Sequence, residues 1–111
     1  MHKFSPQFKK RWRKYSPIFQ LANIGSEVNR AIYWQKKKDK KNTEVAFLRA
    51  LALLDLSINS SCSGPQLKEM LRLREVLCDY FGGYGYYNTS SKSLENYFTN
   101  FALKAREGKS E

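Results

Sequence analysis

Histidine is almost missing from this chain: the only one is His2, next to the start of 111 residues. Without an interior histidine, no Ser–His or Cys–His pair can activate a nucleophile inside a core. The Glu-x-x-His pairs that hold di-iron sites in helical bundles are lacking for the same reason. Cysteine is nearly as scarce. Cys62 falls in a turn-like stretch and Cys78 on an expected helix thirteen residues past Pro65. At about 1.5 Å per helical residue they are placed roughly 20 Å apart, too far for a bridge. Two distant cysteines also give no zinc-ligand spacing, and both read as free thiols of a reducing compartment. Neither a metal nor another cofactor is expected, and no catalytic residue can be assigned.

Long apolar runs are absent too. None approaches the ~20 residues that cross a membrane. Gln20 and Asn23 interrupt the stretch 17–24, so the basic start is not followed by a secretory h-region. Acid is missing before Glu27, which leaves an organellar transit peptide conceivable, but the cytoplasm is the expected compartment. A Gly-x-x-x-x-Gly-Lys-Ser/Thr loop is lacking, and Gly82-Gly83-Tyr84-Gly85 follows a helical pattern rather than a strand. Phosphate cradling of the nucleotide-enzyme kind therefore has no support.

What the chain does have is positive charge, in two places. Lys3, Lys9, Lys10, Arg11, Arg13 and Lys14 meet no acid within residues 1–14. Lys36, Lys37, Lys38, Lys40 and Lys41 surround Asp39 alone. These two clusters account for the whole formal charge of +10, and the rest of the chain is neutral. A neutral body with two basic clusters directs any polyanion contact to those clusters.

Hydrophobic periodicity is helical throughout, with almost no strand-like alternation. Ser-Pro-x-Phe occurs at Ser5-Pro6-Gln7-Phe8 and at Ser16-Pro17-Ile18-Phe19. Serine can accept from first-turn amides and proline suits the first helical position, so each marks a helix start. A short helix over residues 6–15 puts Phe8, Trp12 and Tyr15 on one face. A second runs over 17–35. The third, from Asn42 or Thr43 to Ile58, is apolar on nearly every side and is expected to be surrounded at the centre of the fold. The fourth spans 65–81, stopped by Gly82-Gly83, and the last 91–107. The fold class is all-α. It is expected to be an antiparallel up-down four-helix bundle over residues 16–108, preceded by a basic amphipathic arm over 1–15. Such a bundle places the lysine turn 36–41 and the tyrosine loop 82–90 at one end, with the arm starting at the other.

Three sets of residues are candidates for function. Lys36, Lys37, Lys38, Lys40 and Lys41 near Tyr84, Tyr86 and Tyr87 combine phosphate neutralisation with rings that stack on unpaired bases. The ordinary alternative is a solvated lysine turn beside packed tyrosines. On the arm, Lys9, Lys10, Arg11, Trp12, Arg13 and Lys14 could grip nucleic acid or an acidic protein, or lie in an anionic membrane surface. Equally, the aromatic face could cap the bundle. Third, Glu27, Arg30, Asp55, Arg74 and Asp79 are polar residues set within helical stripes. Asp55, between Leu53-Leu54 and Leu56, calls for a guanidinium partner, Arg74 or Arg30, in a buried ion pair that fixes register. The alternative is a ligand or catalytic site inside the bundle.

The run Leu71-Arg72-Leu73-Arg74-Glu75-Val76-Leu77-Cys78-Asp79-Tyr80-Phe81-Gly82 resembles the corresponding segment of HEPN-type bundles, the family of nucleotidyltransferase substrate-binding subunits and toxin ribonucleases. Arg74 matches that family's arginine, while Asp79 stands at or near its histidine position. The catalytic pair of the ribonucleases is therefore incomplete, and the resemblance implies a partner subunit rather than RNA cleavage. Asn23-Ile24-Gly25-Ser26-Glu27-Val28-Asn29-Arg30 and Ala50-Leu51-Ala52-Leu53-Leu54-Asp55-Leu56 are similar to segments of a small bacterial all-α bundle family. The function expected from the residues is non-enzymatic binding of RNA or DNA through the basic arm and the Lys/Tyr loops. The alternatives are a protein-interaction subunit, with a nucleotidyltransferase as its partner, and peripheral membrane attachment. Oligomeric state is not legible in the sequence.

Overall fold

A computed structural model describes residues 4–60 and 63–108, so His2, Lys3 and Cys62 lie outside the described residues. Five α-helices occur there, and no strand: α1 (Pro6–Lys14), α2 (Pro17–Lys36), α3 (Lys40–Ser60), α4 (Gly64–Gly82) and α5 (Ser91–Gly108). The repeated Ser-Pro-x-Phe element works as its chemistry dictates. Ser5 Oγ accepts from the Phe8 amide and Ser16 Oγ from the Phe19 amide, both at 3.1 Å, with proline in the first turn of each helix. Ser16, extended at ψ 157°, breaks α1 from α2.

Helix α2 is the hub. It packs on α3 and on α5, while α3 also contacts α4 and α1. Leu21, Ile24, Val28, Ala31 and Ile32 line its buried face. Gly25 lets α5 approach, because a Cβ there would lie 2.7 Å from Phe98 Cβ. Ala46 and Ala50 on α3 are buried with Leu53 and Leu54, and such small side chains suit close helix contact.

Two expectations about α3 need correction. It starts at Lys40 rather than at Asn42 or Thr43, because Asp39 caps it: Oδ1 accepts from the Asn42 amide at 3.0 Å. Nor is it surrounded. Val45 is 60% exposed and Leu48 47%. Apolar composition on all sides of a helix does not determine which side acquires a neighbour, and singly exposed apolar residues are ordinary.

Candidate functional site

The basic arm is a docked helix. Phe4, Phe8, Trp12, Tyr15 and Phe19 form a continuous file of ring contacts, with centroids 4.7–5.9 Å apart. Trp12 is at its centre, 2% exposed. Its Nε1 donates to Ser57 Oγ on α3 at 2.8 Å. Gln20 Nε2 donates to the Trp12 and Tyr15 carbonyls at 2.7 and 3.3 Å, satisfying acceptors at the end of α1. Trp12 is thus interior and cannot be a surface contact residue, a correction to its sequence assignment. Lys9, Lys10, Arg11, Arg13 and Lys14 are exposed on the outer face, and the Arg11 guanidinium lies 5.8 Å from the Phe8 ring centroid.

The lysine turn and the end of α4 meet. Tyr80 donates its hydroxyl to Gln35 Oε1 at 2.6 Å, and the Phe47 and Phe81 rings lie 4.9 Å apart. Lys36 reaches Glu95 on α5 at 3.6 Å, and the Lys37 ammonium lies 5.4 Å from the Tyr33 ring centroid. Lys38 adopts a left-handed conformation, φ 61°, that carries the chain through the turn. Lys37, Lys38, Lys40 and Lys41 are exposed and form no ion pair among the described residues. Trp12 docks at Ser57, which follows Lys40 by seventeen residues on α3. The helical rise makes that separation about 26 Å, so the two basic clusters occupy opposite ends of α3.

A buried carboxylate shapes the tyrosine loop. Asp79, 5% exposed, accepts from the Tyr86 and Tyr87 amides at 2.8 and 2.9 Å. Gly83, at φ 79°, turns the chain out of α4 in the left-handed region that glycine tolerates. Tyr84 and Tyr86 are 69% and 84% exposed, with parallel rings 6.0 Å apart. Tyr87 turns back along α4, donating to Glu75 at 2.6 Å, and that hydrogen bond raises its phenol pKa. Among the described residues, no hydrogen bond or cation–π contact joins the turn lysines to Tyr84, Tyr86 or Tyr87. The two groups share an end of the molecule with neither kind of contact between them.

The polar residues within the helices are paired, though not in a buried network. Arg74 grips Asp55 with Nε–Oδ1 at 2.6 Å and Nη2–Oδ2 at 3.2 Å, and the carboxylate raises the guanidinium pKa further. Both side chains are 41% exposed, so this bidentate pair is a surface one. Arg30 is exposed and pairs with Glu27 within α2, while Arg49 from α3 also binds Glu27, at 3.1 Å. Asp79 pairs with amides rather than a cation. Arg49 is not legible in the sequence as Glu27's partner, since one arginine on an apolar helix carries no spacing signal. No group of three or more potential metal ligands occurs among the described residues, and no helix there is long and apolar enough to cross a membrane. Cys78 is a free, half-buried thiol.

Comparison with known proteins gives no match, whether to family models, to curated proteins or to solved structures.

Proposed function

We propose that the protein is a non-enzymatic, cytoplasmic, up-down four-helix bundle with a docked N-terminal helix that binds RNA or DNA as a polyanion. One observation carries this reading. The exposed cations of α1 and of the lysine turn, Lys36 apart, form no ion pair among the described residues, Asp39 acting on Lys41 only weakly, and both clusters sit on anchored elements. Cations that form no ion pair are available to phosphates, and each contact releases condensed counterions. Tyr84 and Tyr86 add exposed rings suited to stacking on unpaired bases. Membrane attachment is disfavoured because the arm's tryptophan is inside.

Fluorescence anisotropy with labelled single-stranded RNA, single-stranded DNA and duplex DNA, repeated across salt concentrations, tests the proposal. Affinity should fall log-linearly with salt, with a slope of about −0.7 per contacted phosphate for single strands. Lys40→Glu with Lys41→Glu, and separately Arg13→Glu with Lys14→Glu, should each flatten that slope. Tyr84→Ala with Tyr86→Ala should weaken single strands more than duplex. Absent or salt-independent binding overturns the reading. A stoichiometric protein in place of nucleic acid after purification from native cells would support a protein-interaction subunit instead.

A further inference from the structure

Helices α4 and α5 make no extensive backbone approach, and an open cleft of about 730 Å³ separates them. Leu73 and Leu94, both buried, and the half-buried Val76 supply its apolar lining. Lys68 and Arg72 line the same cleft from α4, one helical turn apart. Neither forms an ion pair among the described residues. Glu69 also faces the cleft, but the Tyr97 hydroxyl donates to its Oε2 at 2.6 Å and ties it to α5. Burial, then that hydrogen bond, pushes the Tyr97 phenol well above its ordinary range.

We propose that this cleft binds a small organic anion, with an apolar body against Leu73, Val76 and Leu94 and a single acidic head group between Lys68 and Arg72. The cleft lies within the roughly 300–1,000 Å³ typical of small-molecule pockets. Its two cations, neither in an ion pair among the described residues, bind an anionic head group more strongly than a neutral acceptor and repel a cationic one. Its apolar lining has no counterpart on α1's outer face, where the exposed residues are basic and polar. The site shares no residue with the proposed nucleic-acid contacts, so either reading can fail without the other.

The test uses anilinonaphthalene sulfonate, a fluorescent aromatic anion, titrated into the full chain. One saturable site is expected. Replacing both cations, Lys68→Ala with Arg72→Ala, should weaken binding by about tenfold or more, as loss of charge-assisted contacts does. Both residues are exposed, and an unchanged far-UV circular dichroism spectrum verifies that the variant folds. Glu69→Gln should tighten binding. Val45→Lys, on the exposed face of α3, and Lys40→Ala with Lys41→Ala should leave it unchanged. Laurate and dodecyl phosphate should displace the probe and dodecanol should not; the stronger competitor of the two identifies the head group. Non-saturating fluorescence, equal affinity in the Lys68/Arg72 variant, loss of binding in either control, or displacement by dodecanol as readily as by laurate overturns the proposal.

Discussion

Trp12 and Ser57 are joined by a 2.8 Å hydrogen bond across forty-five residues of chain, with both side chains buried. It makes α1 part of the core rather than an arm. Trp12→Ala removes a large buried ring and should cost about 3–5 kcal/mol. Ser57→Ala leaves the indole N–H without its acceptor and should cost about 1–3 kcal/mol. Urea denaturation measures both. A freely attached arm predicts no change in midpoint for either.

Gly25 and Phe98 set the spacing of α2 and α5. Alanine at position 25 gains about 1 kcal/mol in helix propensity. Its methyl group, however, would meet three Phe98 side-chain atoms at 2.7 Å, and Phe98 is buried. Overpacking of this kind costs about 1–3 kcal/mol, so Gly25→Ala should destabilise despite its better propensity. A raised melting temperature would show that α5 yields.

Local chemistry made the helices legible. Ser5 and Ser16 cap as written, and Gly83 ends α4 as the Gly-Gly pair implied. Contacts between residues distant in sequence leave no such local mark. The Phe8–Trp12–Tyr15 stripe was visible, but its docking depends on Ser57, a residue with no marked context. Asp55 among leucines suggested a buried carboxylate, yet α3 leaves that side half open. The cap at Asp39 lies inside a lysine run, where five cations mask its Asp-x-x-Asn spacing. The common end of the lysine turn and the tyrosine loop followed from helix count and short connections. Contact between them did not, because Asp79 directs the loop by its amides.

Asp79 and Gly82 together should control how Tyr84 and Tyr86 are displayed. Asp79→Ala removes the acceptor for two loop amides, so hydrogen exchange at Tyr86 and Tyr87 should accelerate while the core of α2 stays protected. At Gly82 a Cβ would lie 2.6 Å from Tyr84 Cε2. That ring is exposed and can swing away, so Gly82→Ala should leave stability nearly unchanged yet unstack Tyr84 from Tyr86. Ring chemical shifts of the two tyrosines would report it; unmoved shifts would mean the stack tolerates the methyl group.

The Asp55–Arg74 pair is geometrically good but exposed. Bidentate contact favours it, and solvent screening limits it to about 1 kcal/mol or less. Asp55→Asn should therefore shift the urea midpoint only slightly, and the shift should shrink in high salt. A buried pair predicts a loss of about 3–5 kcal/mol with little salt dependence.

Asp39 gives the start of α3 a dependence on pH. Its carboxyl is held below the ordinary carboxylate range, first by the Asn42 amide, then by the Asn42 side chain, with Lys41 contributing least. A group whose pKa is depressed by folding stabilises the fold above its unfolded value, near pH 4, and that contribution disappears as pH falls through the lower folded value. Carboxyl-carbon NMR should therefore give Asp39 a lower midpoint than an unstructured aspartate, with the Asn42 amide shift following the same curve. Asp39→Asn keeps a capping side chain but removes the titration, so its Asn42 amide should be flat over the same range. Because hydrogen bonds at contact distance dominate, added salt should scarcely move the midpoint. A midpoint that rises strongly with salt would instead assign the shift to the surrounding lysines.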